Sequence, residues 1–188
     1  MHQRKKSPGG RGLRIVACLA LAAASLVPTT ADAEATTDVT LFSISKSENR
    51  NQVLYAVHVD RECRPVGASP VHAYWQNLER GPTNTSPLLW LEQRAYGLSS
   101  QEIEPTRGSG DASQVRVRLR ALPERAIMVR TARSGNSCVA SATTTVAAMP
   151  ANMYNVYARL RGIFGVESIT LSGRRFDTGA IVQETLKP

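Results

Sequence analysis

Apolar and polar residues alternate along most of this chain with a period of two. Val115-Arg116-Val117-Arg118-Leu119-Arg120 does so without a break, as expected of a strand with one face buried and one face in water. Over residues 53–59, Val53, Tyr55, Val57 and Val59 share one face, with Leu54, Ala56 and His58 on the other. Over residues 71–75, Val71, Ala73 and Trp75 lie opposite His72 and Tyr74. Nearer the C-terminus, Tyr154, Val156, Ala158 and Leu160 alternate with Asn155, Tyr157, Arg159 and Arg161. Residues 40–45, 126–132, 138–147, 166–171 and 180–184 carry the Val, Ile, Thr and Tyr content that suits a pleated surface. Turn residues separate these runs: Glu48-Asn49-Arg50-Asn51, Arg107-Gly108-Ser109-Gly110-Asp111, Ser134-Gly135-Asn136 and Thr178-Gly179.

One stretch departs from the period. Ser86 and Pro87 have the residue types of an N-cap and a first helical position, and they precede Leu91-Glu92-Gln93-Arg94. Gly97 would end that helix. The expectation is an all-β domain, either an antiparallel sandwich or a partly closed barrel of about nine strands, with one short helix near residues 87–95.

The first 33 residues read differently. Arg4, Lys5, Lys6, Arg11 and Arg14 precede an uncharged apolar run over 15–27, and Ala31-Asp32-Ala33 offers small residues at −3 and −1. The run is too short to span a hydrocarbon core of about 30 Å, so it predicts a cleaved export signal and no transmembrane anchor. Ile15-Val16-Ala17-Cys18 superficially resembles a lipoprotein box, but it directly follows Arg14 with no apolar stretch before it. Residues 34–188 are then a single β-rich domain, destined for the periplasm or the exterior.

Composition narrows the function classes. The whole chain carries a formal charge of +8, but the signal holds five basic residues and one acid, which leaves +4 on the exported part. So mild an excess does not suit nucleic acid. It permits attraction to an anionic glycan or lipid surface. Cys63 and Cys138 remain after removal of Cys18, an even count in an oxidising compartment, and the expectation is a disulfide.

Catalytic signatures are scarce. The sequence lacks a G-x-S-x-G elbow, a C-x-x-C pair and both glycine-rich phosphate loops, so no cofactor is expected. His58 and His72 fall on consecutive strands, on the face opposite the aliphatic stripe. If His58 lay opposite about His72, the rings would be some 5 Å apart. Zinc would need a third ligand such as Asp60 or Glu79, and no H-E-x-x-H spacing supports one; no metal is expected. Glu102 and Glu104 read as a solvated acidic turn beside Pro105. Arg116, Arg118 and Arg120 share a strand face, which Arg130, Arg159, Arg161, Arg174 and Arg175 would extend if their strands were neighbours. Lys46, Asn49, Arg50 and Asn51 cluster in a polar turn between apolar strands. Asn tolerates the positive φ of a tight hairpin.

Four stretches resemble the bacterial family known as domain of unknown function 4833. Leu41-Phe42-Ser43-Ile44-Ser45-Lys46-Ser47-Glu48-Asn49-Arg50-Asn51-Gln52-Val53-Leu54-Tyr55 is similar to its opening, where a strand runs through a Ser-Lys-x-x-Asn-x-Asn turn into a second strand. Pro70-Val71-His72-Ala73-Tyr74-Trp75 and Leu91-Glu92-Gln93-Arg94-Ala95-Tyr96-Gly97 resemble its P-V-x-x-Y-W and A-Y-G segments. Val166-Glu167-Ser168-Ile169-Thr170-Leu171-Ser172-Gly173, with Thr178-Gly179 and Glu184, is similar to its C-terminal end. The resemblance runs from about residue 40 to residue 188, and Cys63 and Cys138 are not part of its pattern. It implies an exported β-rich domain and transfers no catalytic residue.

The leading expectation is therefore a non-enzymatic binding or structural protein of the cell envelope. Its ligand surface would be the turn at Lys46, Asn49, Arg50 and Asn51, with Tyr74, Trp75 and Tyr96 as aromatic partners. An envelope hydrolase using His58 or His72 as base, and an anion-binding module using the arginine face, are the alternatives.

Overall fold

The computed structural model describes residues 36–104, 114–161 and 165–187, all within the unit Ala33–Pro188. The expected export signal with its Cys18 and the expected turn at 107–111 lie outside the described residues. Among the described residues, eleven strands and one helix follow in order: β1 (Thr37–Lys46), β2 (Gln52–Val59), β3 (Val71–Gln76), β4 (Thr85–Pro87), α1 (Trp90–Tyr96), β5 (Leu98–Glu104), β6 (Gln114–Leu119), β7 (Leu122–Ser134), β8 (Ser137–Val146), β9 (Met149–Arg161), β10 (Gly165–Arg175) and β11 (Ile181–Leu186). They form one sheet in the order β4-β3-β2-β1-β9-β8-β7-β6-β5, with β10 on β9 and β11 on β10.

The fold is all-β, as the period of two predicts. In β6, Val115, Val117 and Leu119 are fully buried while Arg116 and Arg118 are not. In β2, Val53, Tyr55, Val57 and Val59 are likewise shut away from water. These side chains meet Phe42, Ile127, Val129, Met153 and Leu171 in one hydrophobic core on the inner side of the curled sheet. Within it the Phe42 and Tyr55 rings stack at 4.5 Å between centroids.

Three details differ from expectation. The sheet is mixed, because Ser43–Lys46 of β1 pairs in parallel with Asn155–Ala158 of β9. β9 is long enough to serve β8 through Met149–Asn152 and then β1 further along. Its inward period slips between those two partners: Met153 and Val156 are buried, and Tyr154, expected on the inner face with Val156, is 40% exposed. A register shift opposite, between Ser172 and Gly173 of β10, accommodates the slip.

The helix begins later than expected. Pro87 ends β4, and Leu89 rather than Ser86 is the cap residue. Ser86 is unable to cap because it pairs with Trp75 in the β3–β4 ladder. The Leu89 N–H instead donates to the Glu92 carboxylate at 2.7 Å. Gly97 does end the helix, for reasons of space: a Cβ there would lie 2.2 Å from the Gln93 carbonyl oxygen.

The sheet is not closed into a barrel. Its two ends approach without sharing a ladder, and the Gln101 side chain of β5 hydrogen-bonds the Val71 peptide of β3. A second opening lies where β9 passes from β8 to β1, leaving the first halves of β1 and β8 without a common partner. The Cys63–Cys138 disulfide spans it, with Cα atoms 5.3 Å apart.

Candidate functional site

The β1–β2 turn is held locally. Asn49 Oδ1 accepts the Asn51 N–H at 3.1 Å, an Asx turn. Neither Asn49 nor Asn51 adopts a positive φ, so the asparagines work through their side chains, contrary to the expected left-handed backbone. The Asn51 amide oxygen also accepts the Glu79 N–H at 3.3 Å, fixing the turn against the β3–β4 connection.

Beside this turn is a hollow of about 340 Å³ lined by Lys46, Asn51, Trp75, Asn77, Ser86, Leu89 and Glu92. The Lys46 ammonium lies 5.3 Å from the centroid of the Trp75 ring. Asn77 donates to Ser86 Oγ at 3.3 Å, so amide and hydroxyl are held together along one wall. The Trp75 indole N–H is buried and has no hydrogen-bond partner among the described residues. Tyr96 meets Trp75 edge-on at 5.7 Å, and its carbonyl accepts the Tyr55 hydroxyl proton. Burial first, then the carboxylates of Glu48 and Glu92, raises the Tyr96 phenol above its ordinary pKa. Burial likewise raises Tyr55, with a lesser contribution from Tyr96.

The expected site residues therefore divide. Lys46 and Asn51 line the hollow and Tyr96 buttresses its Trp75 wall. Asn49 closes the turn, and Arg50 is exposed beside it. Tyr74 lies on the opposite sheet face, stacked on His72 at 5.7 Å.

That opposite face carries a second cluster. Asp38 opposes His58 in the β1–β2 ladder. His58 Nδ1 is 2.7 Å from Asp38 Oδ1, and His72 Nε2 is 3.0 Å from Asp38 Oδ2. One carboxylate thus holds both rings, whose centroids are 6.2 Å apart. His72 pairs with Ala56 rather than His58, which offsets the rings diagonally. The carboxylate partner is Asp38, where the sequence pointed to Asp60 or Glu79. Among the described residues, no group of three His, Cys, Asp or Glu could hold a metal ion. Burial, then the Asp38 charge, raises the Tyr74 phenol.

The model of the domain of unknown function DUF4833 matches residues 42–185. The chain belongs to this family. No curated protein and no solved structure matches it.

The DUF4833 match contains every residue lining the hollow, together with His58 and His72, whereas Asp38 precedes it. The arginines of this DUF4833 domain do not form one face. β6 and β9 are separated by β7 and β8, which places Arg116 and Arg118 apart from Arg159 and Arg161. Several are paired with acids: Arg116 with Glu104 at 2.7 Å, Arg159 with Glu167 at 3.3 Å, and Arg175 with Asp177. Glu102 and Glu104 belong to β5 rather than to a turn.

Sequence reading passed over Asn77, Ser86, Leu89 and Glu92. They come from the β3–β4 connection, β4 and the start of α1, and no local pattern ties them to Lys46. One signal was available: Leu88, Leu89, Trp90 and Leu91 are four large apolar residues in a row, in a segment too short to bury them all.

Proposed function

We propose that this chain is an exported, non-enzymatic binding protein of the cell envelope that takes a saccharide in the hollow at Lys46, Asn51 and Trp75. The carrying observation is the convergence of a cation, amides, a hydroxyl and an indole wall from separate elements on one concavity. Saccharides are gripped by an aromatic surface flanked by a few directed polar groups. Export is supported by the signal-like first 33 residues and by the Cys63–Cys138 disulfide. Among the described residues, no helix is long and apolar enough to cross a membrane.

Calorimetric titration with N-acetylglucosamine oligomers and soluble disaccharide fragments of peptidoglycan tests the reading. Saturable binding that is lost in Lys46→Ala, with the unfolding midpoint unchanged, and in Asn51→Ala, with a cooperative unfolding transition retained, is the expected result. Absence of binding by the folded protein, or binding indifferent to both substitutions, would remove it.

A hydrolase reading has one observation in its favour. Asp38 holds His58 through Nδ1, and a carboxylate bound there orients an imidazole so that Nε2 serves as base. Among the described residues, however, no Ser, Thr or Cys side chain hydrogen-bonds either ring. Turnover with an acid limb that disappears in His58→Ala would favour the hydrolase over the binding protein.

A further inference from the structure

Helix α1 has no buried residue. Its start projects three large apolar side chains into solvent: Leu89 and Trp90 are each 67% exposed and Leu91 is 60% exposed. Few residues elsewhere expose so much apolar surface, and none of the other strongly exposed apolar side chains is adjacent in sequence to two more. Glu92, the acid in this turn, is drawn back to accept the Leu89 N–H. Arg94 instead reaches over the Trp90 ring, 5.8 Å from its centroid.

Directly beside Trp90 lies a hollow of about 450 Å³. Its lining includes Arg94 and Arg120, the amides of Gln93 and Gln101, and His72, whose Nε2 is held by Asp38; no carboxylate lines it directly. Neither arginine forms an ion pair among the described residues, unlike Arg116, Arg125, Arg159 and Arg175. Arg120 is placed here because its N–H donates to the Gly97 carbonyl at 3.0 Å, fastening the end of β6 to the end of α1.

We infer that this corner of the molecule is a membrane-docking surface: Leu89, Trp90 and Leu91 enter the outer part of a bilayer while Arg94 and Arg120 take an anionic phospholipid headgroup. The pairing of an exposed apolar tip with adjoining unpaired cations is what an interface between hydrocarbon and anionic headgroups selects. Trp is the side chain that belongs at that depth, with an apolar body and one N–H. A protruding tip of three side chains also suits insertion into lipid better than a protein interface, which needs about 800 Å² from each partner. The surface borders the proposed saccharide hollow and shares Leu89 with it, whereas Trp90, Leu91, Arg94 and Arg120 do not line that hollow.

The test is flotation of the protein, as cells produce it, with two sets of vesicles. One is pure phosphatidylcholine; the other contains about one-third phosphatidylglycerol. The protein is expected to float with the anionic vesicles only, with release as salt rises from about 50 to about 500 mM. Trp90→Ser with Leu91→Ser, and separately Arg94→Gln with Arg120→Gln, are expected to weaken partitioning by at least about tenfold. All four positions are at the surface, and an unchanged unfolding midpoint confirms the fold of each variant. No flotation with anionic vesicles, or flotation equal in wild type and both variants, overturns the inference. Binding of inorganic phosphate at the arginine pair without flotation would make the hollow a soluble-anion site, and overturns it as well. Self-association abolished by Trp90→Ser, again without flotation, would assign the tip to a second copy of the chain.

Discussion

Gln101 grips both polar groups of Val71. Its Oε1 accepts the Val71 N–H at 3.0 Å, and its Nε2 donates to the Val71 carbonyl at 2.7 Å. One side-chain amide thus replaces a rung of ladder between β3 and β5, where the curled sheet fails to close.

Gln101→Ala is expected to lower stability by roughly 1–3 kcal/mol, the sum of two hydrogen bonds at about 1 kcal/mol each. Gln101→Glu keeps an acceptor but sets a carboxylate oxygen against the Val71 carbonyl. That charge is disfavoured in the folded state, so the Glu variant binds its proton more readily there than when unfolded. Its stability should recover as pH falls, because a protonated carboxyl donates and accepts as the amide does. Urea unfolding at neutral and acidic pH checks both statements.

Removal of the disulfide has a larger expected effect. Cys63 and Cys138 are 75 residues apart in sequence, and loop closure on that scale contributes up to about 4.5 kcal/mol in the chain-entropy model. Cys63→Ser with Cys138→Ser should lower the urea midpoint, and dithiothreitol should shift the wild type to the same place. A wild type indifferent to reductant would argue that the thiols are unbridged.

The turn between β8 and β9 asks two alanines to adopt positive φ, 50° at Ala147 and 62° at Ala148. A side chain in that region costs about 1–2 kcal/mol, partly offset by the greater unfolded freedom of glycine. Ala147→Gly or Ala148→Gly should therefore each raise stability by about 0.5–1 kcal/mol. Thermal unfolding of the single variants decides the sign.

Glu184 fastens this same turn from β11. It accepts two hydrogen bonds from Arg125, at 2.8 and 2.9 Å, and the Ala147 N–H at 2.9 Å. The Arg125 hydrogen bonds, with help from the Ala147 N–H, hold its pKa below the ordinary 4.5, against a smaller opposing effect of burial. A depressed folded pKa means that the contribution is complete above the unfolded value and fades as pH falls through the folded one. Glu184→Gln should therefore be less stable than wild type at neutral pH, with the gap narrowing in acid. A gap constant from pH 7 into the acid range would contradict the assignment.

Much of this fold was legible because much of it is local. Every inward residue of β6 could be read from its neighbours, since the sheet pleat alternates whatever the partner strand. Tyr154 was misread because β9 changes partner beside it, and nothing near residue 154 announces β1. Asp38 was missed for a related reason. It reaches His58 through the β1–β2 ladder, whereas sequence distance favoured Asp60, which instead accepts the Arg64 N–H at 2.8 Å in its own turn. Ser86 and Pro87 carry real helix-start chemistry, yet the β3–β4 ladder claims them. At the hollow, Lys46 and Asn51 were visible as a polar cluster between apolar strands. Their partners arrive from β3, β4, the connection between them and α1, so their convergence is a product of tertiary folding alone.

The parallel pairing of β1 with β9 also sets an order of events. β1 joins residues 112 apart in the chain, as in the hydrogen bond from Ser43 to Asn155. Until β9 has been synthesised and delivered, one edge of β1 offers its peptide groups to any strand that passes. Pairing over such a separation is intrinsically slow. The strand made first is thus completed late, and fragments that stop short of Asn155 are the ones expected to aggregate.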